Sequence, residues 1–505
     1  MHPSERLCPK NAGIHWKLRA DGDCGLALVI CLIVLALFTL IGLSLAVNAG
    51  TEMRIGDNFE ALVQSRQAAL AGLHHATELL RGPDFDDLLA GPDGTYDHAS
   101  AYLAYARRHR YRNPLDWPAA AEVDVDDPGA WVSGLPDDGL IHSGYCSGAA
   151  GTVLIPLQGA ACSLLPVPGG GARTLSRYFV KASDNNGEAS ELDADPSDNP
   201  FLDGDGVVVV RSLGIARTIG EVVGPRERRN SVTVYEGRYR RRQTFDLDAA
   251  VTLCARDVSP SGPAMFEGRE FHIDGGYAEP GIGVLDPGRG DGVEPWRQVT
   301  SYIGAEQEEQ LQGAGLVPSV IDLTSSVHAH PDKRLLLDGL YLADFISRTV
   351  PRAADSVFAG DLDWPGTGTP DLGAYDPALP CNAAAQRPRV TFVKGSLTVS
   401  GEISGAGILI VQGGLHVTGR LAFSGLILVV GTGDLALHGA GTEIRGAVFV
   451  AGVPALGGTT LHEEARFSIG GGAQVIFDRN AVRMAVRLLP VTQEGFREIT
   501  STTDP

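Results

Sequence analysis

The sequence predicts an α+β protein in three successive parts: a long N-terminal helix, transmembrane at first and amphipathic beyond, then a β-sheet-rich head, then a C-terminal β-solenoid (β-helix). Three observations carry that class. Residues 24–51 contain no charge. Residues 52–81 contain no Pro, and their apolar positions recur at helical spacing. Residues 390–452 repeat short apolar strands with Gly at the corners.

A bilayer core of about 30 Å needs about 20 apolar residues in helix, so the charge-free run is long enough to span. The competing reading is a secretory signal, whose apolar core of about 7 to 15 residues ends at a small-residue cleavage site. Ala46-Val47-Asn48-Ala49 imitates such a site. The residues beyond the run decide between them: Ile55, Phe59, Leu62, Leu70, Leu73 and Leu80 are spaced as on an amphipathic helix, which stops at Gly82-Pro83. Residues 26–81 are thus expected to form one rod, about 80 Å long at 1.5 Å per residue. Leu37 and Gly42 in the span, and Ile55, Phe59 and Leu62 beyond it, are its candidate helix-packing positions.

The motifs along this rod are specific. Cys24-Gly25-Leu26-Ala27-Leu28-Val29-Ile30 is followed by Leu40-Ile41-Gly42-Leu43-Ser44, by Glu52-Met53-Arg54-Ile55-Gly56-Asp57-Asn58, and by the alanine-rich residues 64–73. This succession resembles the N-terminal domain of PilX-type pilus assembly proteins, and more broadly that of type IV pilins and pseudopilins. The resemblance implies prepilin processing between Gly25 and Leu26, with residues 1–25 as a cytoplasmic leader. It departs from the family in two places. Asp21, Asp23 and Cys24 stand where a basic residue usually precedes the glycine, and Ile30 stands where major pilins carry an assembly glutamate. Some minor or initiating subunits lack that acid too. The resemblance therefore implies a non-enzymatic minor pilin or pseudopilin-like component of a type IV pilus or type II secretion-type filament, acting in assembly, initiation or tip capping. Its implied partners are other pilin-like subunits and pilus assembly proteins.

Charge sets the orientation. Arg6, Lys10, Lys17 and Arg19 precede the span, whereas Arg54 and Arg66 lie beyond it, which keeps the N-terminus in the cytoplasm. The expectation is a single-pass inner-membrane protein with its head in the periplasm, and the pilus or cell surface as further locations. With 61 acidic and 41 basic residues, net −20, the chain repels nucleic acid. Its 64 Gly and 30 Pro favour short strands and tight turns. Of seven Cys, Cys146, Cys162, Cys254 and Cys381 lie beyond the span. An even number in an oxidising compartment makes them disulfide candidates with three pairings, against the alternative of buried free thiols.

The head is expected over residues 82–256, with strands at 177–181, 206–212, 232–235 and 244–253 laid against the C-terminal half of the long helix. Between the first two strands stand Asp184, Asn186, Glu188, Asp193, Asp195, Asp198, Asp203 and Asp205. Calcium takes six to eight oxygen ligands, and a loop so dense in carboxylates could wrap one. The alternative is a solvated loop in which Asp and Asn make turns. Ca²⁺ is the one cofactor the sequence suggests.

Residues 257–385 read as an entry to the solenoid with a partly helical insertion, 386–480 as the glycine-rich solenoid, and 481–505 as a capping helix and tail. Three rungs, 396–413, 414–431 and 432–452, bring Leu409, Ile427 and Val448 to equivalent places. One coil cannot bury its apolar face alone, so coils stack. An antiparallel meander of hairpins is the alternative. Residues 268–276 resemble another coil, and 467–478 a final one.

Catalytic candidates are few and weak. His328 and His330 with Asp332 lack a further ligand and read as a surface loop, and His74-His75 sit on the long helix. Arg226 to Arg229 and Arg238 to Arg242 read as solvated basic clusters. The rungs expose Ser400, Thr418, Arg420 and His438 instead of a carboxylate pair. No enzyme is expected. The alternative function is a membrane-anchored adhesin whose solenoid binds a surface polysaccharide.

Overall fold

The computed structural model describes residues 24–89, 140–147, 152–155, 164–165, 174–185, 203, 205–218, 231–288, 294–364, 371–376, 378–379, 385–453 and 464–499. It is a mixed α+β molecule with a long N-terminal apolar helix and a large β-rich body. Helix α1, Cys24–Leu79, is unbroken over 56 residues. Its two halves differ. From Leu26 to Phe59 the large apolar side chains are exposed, and burial begins at Ala61. A turn with Gly82 at φ 97° leads to the short helix α2, Phe85–Leu89.

The buried half of α1 lies on an antiparallel sheet built from β1 (Leu140–Ser147), β2 (Thr152–Ile155), β3 (Leu164–Leu165), β4 (Thr174–Asp184), β5 (Val207–Thr218) and β6 (Ser231–Arg240). The alanine-rich stretch allows a close approach. Ala68, Ala69 and Ala76 are fully buried, and a Cβ on Gly214 of β5 would sit 2.0 Å from the Ser65 carbonyl oxygen and 2.4 Å from the Ala69 nitrogen. Tyr239 closes the contact, its hydroxyl donating to the Leu73 carbonyl at 2.7 Å.

Two expectations for the head need correction. Residues 244–250 form no strand, and Val251–Cys254 belongs to the second body, not to this sheet. The segment expected as a tail returns as a strand, Thr492–Ile499, which pairs antiparallel with β6 and is the outer strand of the head sheet.

The second body is built mainly of parallel strands in two sheets. In one sheet, short strands Leu362–Trp364, Leu397–Val399, Leu415–Val417, Asp434–Leu437, Glu464–Ile469 and Asp257–Pro260 pair in that order. The long strands Glu402–Val411, Arg420–Gly431 and Glu443–Gly452 pair in parallel in the other sheet, with Gly407, Gly425 and Gly446 near their middles. These glycines are in register and have φ of 111°, 133° and 137°. A Cβ on Gly425 would lie 2.1 Å from the Gly407 carbonyl oxygen, so both the conformation and the close stacking exclude a side chain. Leu409 faces Ile427 and Ile427 faces Val448, the register expected from the repeat. The pairing is parallel, which excludes the meander.

The stacking order differs from the chain order. Val251–Cys254 pairs in parallel with the second half of Glu443–Gly452, and Ile282–Leu285 and Val320–Asp322 continue beyond it. Strands Val251–Cys254, Ile282–Leu285 and Val320–Asp322 therefore belong to the same sheet as Glu443–Gly452, and within 268–276 the strand His272–Asp274 lies between Gln474–Phe477 and Leu311–Gln312.

Two cores result. The interior holds Leu397, Leu409, Leu415, Ile427, Leu435, Val448 and Phe467, among others. A second core lies outside one side of the stack, where Ile408, Ile410, Leu426, Leu428 and Phe449 meet Leu342, Phe345, Ile346, Val482 and Ala485 from helices Gly339–Asp344 and Arg479–Val486 and the π-helical turn Phe345–Thr349. Burial on both sides explains why these half-strands are continuously apolar while the others alternate. The helix expected as an end cap, Arg479–Val486, instead lies along this side.

Candidate functional site

The exposed half of α1 is the most unusual surface of the molecule. Leu26, Leu35, Phe38, Leu43 and Phe59 are each more than 60% exposed. Residues 26–51 alone would span about 39 Å, more than the roughly 30 Å of a hydrocarbon core. Two hydroxyls inside this stretch turn back on the helix: that of Thr39 donates to the Leu35 and Ala36 carbonyls at 2.9 and 2.8 Å, and that of Thr51 to Val47 at 2.9 Å. Their hydrogen bonds are met without water, as an apolar solvent requires.

The candidate packing residues fall on both sides of the divide. Leu37, Ile55 and Phe59 are 52%, 63% and 67% exposed, Gly42 has open space about it, and Leu62 is partly buried where the sheet contact starts. Ile55 and Phe59 thus make no core with the chain's own head. Gly25 and Leu26 lie in the first turns of α1.

At the other end of α1 the two bodies are joined. Arg81 Nε donates to the Leu488 carbonyl at 2.8 Å, and its guanidinium also donates to the Ala353 carbonyl. Arg241 stacks 3.8 Å from the Phe85 ring and donates to Leu80 and Pro83 carbonyls, while Arg487 pairs with Asp84. The basic cluster at 238–242 is therefore largely engaged: Arg238 and Arg240 pair with Glu494, and Arg240 also with Asp332.

Of the proposed calcium ligands, Asn186, Glu188, Asp193, Asp195 and Asp198 lie outside the described residues. Asp184 is buried at the end of β4. Asp203 Oδ1 accepts the Gly206 and Val207 amides at 2.9 and 3.1 Å, and Asp205 Oδ1 accepts the Val207 amide and Asn185 Nδ2, both at 2.8 Å. The Asp203 amide in turn donates to Asp86 Oδ1 at 2.7 Å. Burial, with the charges of Asp205 and Asp86 added, pushes the Asp203 carboxyl up to about 7. These oxygens shape the entry to β5, and no cluster of metal-ligating side chains occurs among the described residues.

Cys254 is a buried free thiol whose Sγ donates to the Leu336 carbonyl at 3.4 Å, which corrects its assignment as a disulfide half. Cys162 and Cys381, and the side chain of Cys146, lie outside the described residues. His330 Nδ1 accepts the amides of Asp332 and Lys333 at 3.3 Å, a local turn. His75 Nδ1 is 3.1 Å from the Tyr178 hydroxyl at the helix–sheet contact, and burial lowers its pKa.

One arrangement has no counterpart among the sequence-based expectations. Ser468 Oγ is 2.9 Å from His438 Nε2, whose Nδ1 is 3.5 Å from Glu267 Oε2. The order is that of a nucleophile, base and acid. Ser468 is fully buried, however, so no substrate reaches its oxygen. With Ser259 bonded to Glu464 at 2.5 Å and Ser261 to Asp434, the trio stitches the 257–267 coil to coils some two hundred positions away, a proximity no local signal reveals.

A cleft of about 320 Å³ opens on the polar side of the stack, between the segment 373–375 and the outward residues of three successive coils. Its lining includes Tyr375, Ser404, Ala422 and Ser424, together with the Glu443–Arg445 ion pair, 2.5 Å apart.

No family model matches the chain, and no curated protein matches it. Among solved structures, a crystal structure of the competence-associated pilin ComZ from Thermus thermophilus aligns over 87% of this chain and 97% of its own, at 12% identity and a TM-score of 0.16. A likeness so slight has no bearing on function.

Proposed function

We propose that the chain is a membrane-anchored, pilin-like assembly subunit of a type IV pilus or related filament, of the PilX type, with no catalytic step of its own. One observation carries this reading: α1 is a single unbroken helix whose second half is locked to an antiparallel sheet and whose first half is charge-free with its large apolar side chains exposed. A helix apolar on every side requires an apolar environment, either lipid or other such helices. The free half supplies the anchor and the surface for packing against neighbouring rods, and the head and the stacked coils, which we read as a β-solenoid, are carried outside. The lack of an acid at Ile30 favours a minor or initiating place in the filament. Cleavage before Leu26 and a periplasmic head belong to the same proposal.

Leu37→Arg tests it. A charge at mid-span costs about 3 kcal/mol on insertion scales. The variant should lose co-purification with membrane-embedded partners, while circular dichroism of the detergent-extracted chain remains that of the parent. Unchanged co-purification would overturn the packing role.

A further inference from the structure

The cleft on the polar side of the stack has a chemistry that selects one ligand class. It exists because small side chains occupy its floor. Ser404 is in register with Ala422, and Ala422 with Glu443, so a small outward residue on two successive coils leaves a hollow beside the larger Glu443 and Arg445. At about 320 Å³ it lies at the lower end of the range for small-ligand sites.

The charges around it are already matched. Arg445 is paired with Glu443 at 2.5 Å, and Arg389, on the strand beneath, with Asp371 at 2.9 Å. An anionic or cationic ligand would have to break one of these pairs to gain a partner, so net charge is not what the site recognises. What it offers is neutral: the hydroxyls of Ser404 and Ser424, neither of which is hydrogen-bonded within the protein among the described residues, an aromatic wall at Tyr375, and the outer lone pairs and N–H groups of an ion pair that can accept and donate at once. A flat ring with apolar C–H faces and hydroxyls on its rim fits this set, the ring against Tyr375 and the hydroxyls toward the floor. The coils repeat along the stack about every 4.8 Å, so equivalent backbone positions recur along an extended chain of such rings.

We propose that this cleft binds a neutral oligosaccharide. Such binding is independent of the membrane role, because the cleft is remote in sequence from α1 and its test uses the solubilised chain. Saturation-transfer NMR and isothermal titration on the full chain in neutral detergent would use maltohexaose, cellohexaose and chitohexaose as neutral probes and an oligogalacturonate as the anionic one. Saturable binding of at least one neutral probe is expected, with the oligogalacturonate weaker. Tyr375→Ala should weaken binding about tenfold, as loss of an aromatic anchor does. Ala422→Trp, which fills the floor from a partly exposed position, should abolish it. A thermal melt of each variant separates loss of the cleft from loss of the fold, and if one variant fails to fold the other decides. Failure of all three neutral probes at millimolar concentration, tighter binding of the anionic probe, or binding unaffected in a folded variant would each overturn the proposal.

Discussion

Asp203 shows how much a single carboxyl depends on what surrounds it. It sits where β5 begins, with its oxygen on two amides and with Asp86 and Asp205 nearby. Its native pKa, pushed up to about 7, exceeds the ordinary value of 3.8, so between pH 4 and pH 7 the folded chain holds a proton that the unfolded chain releases. Stability contributed by this group is therefore present at low pH and falls as pH rises through about 7, by at most about 4 kcal/mol over the full shift. Asp203→Asn keeps an acceptor oxygen and cannot ionise. Its melting temperature relative to the parent should be higher at pH 8 than at pH 5, and parallel pH profiles would contradict the assignment. In the sequence Asp203 and Asp205 stand out for a different reason, the local density of oxygens. Asp86, whose charge adds to the effects of burial and of Asp205, lies 117 positions earlier, and nothing local announces it.

At the scale of elements, legibility follows the range of the forces. Helix α1 is readable from end to end because absence of charge, absence of Pro and apolar spacing are all local. The stacked coils are readable because their register repeats: Leu409, Ile427 and Val448 align in the structure as in the sequence. Residues 244–250 mislead because an apolar alternation there, with Phe245, Leu247 and Ala249 buried, packs as irregular chain against other elements. The strand Thr492–Ile499 carries no signal of its own because its partner, β6, is remote and its side chains are mostly exposed. The contact of α1 with β5 yields a test. Gly214→Ala places a Cβ 2.0 Å from the Ser65 carbonyl oxygen, and backbone must move to accept it. We expect a loss of roughly 1–3 kcal/mol in denaturant melts of the head. Gly56→Ala, on the free half of α1 with nothing within 4 Å, should leave that melt unchanged. Equal effects of the two would mean that the helix does not lie on the sheet as described.

For the whole molecule, the chain path is the feature that no local pattern discloses. Strand Val251–Cys254 stacks on Glu443–Gly452, and Thr492–Ile499 goes back to the head after the stack is complete, so both bodies close only when distant segments meet. The cleft is hidden in the sequence for the same reason, since Tyr375 and Arg445 come together across three coils. The two halves of α1 differ in what surrounds them. One half belongs to the head, and the large apolar side chains of the other, from Leu26 to Phe59, are exposed. A photo-crosslinking amino acid at position 37, introduced in native cells and activated in intact membranes, reads directly what lies against it. A packing subunit should give a protein adduct with another chain that carries an apolar N-terminal helix. Adducts to lipid alone, or to this chain's own head, would contradict that role.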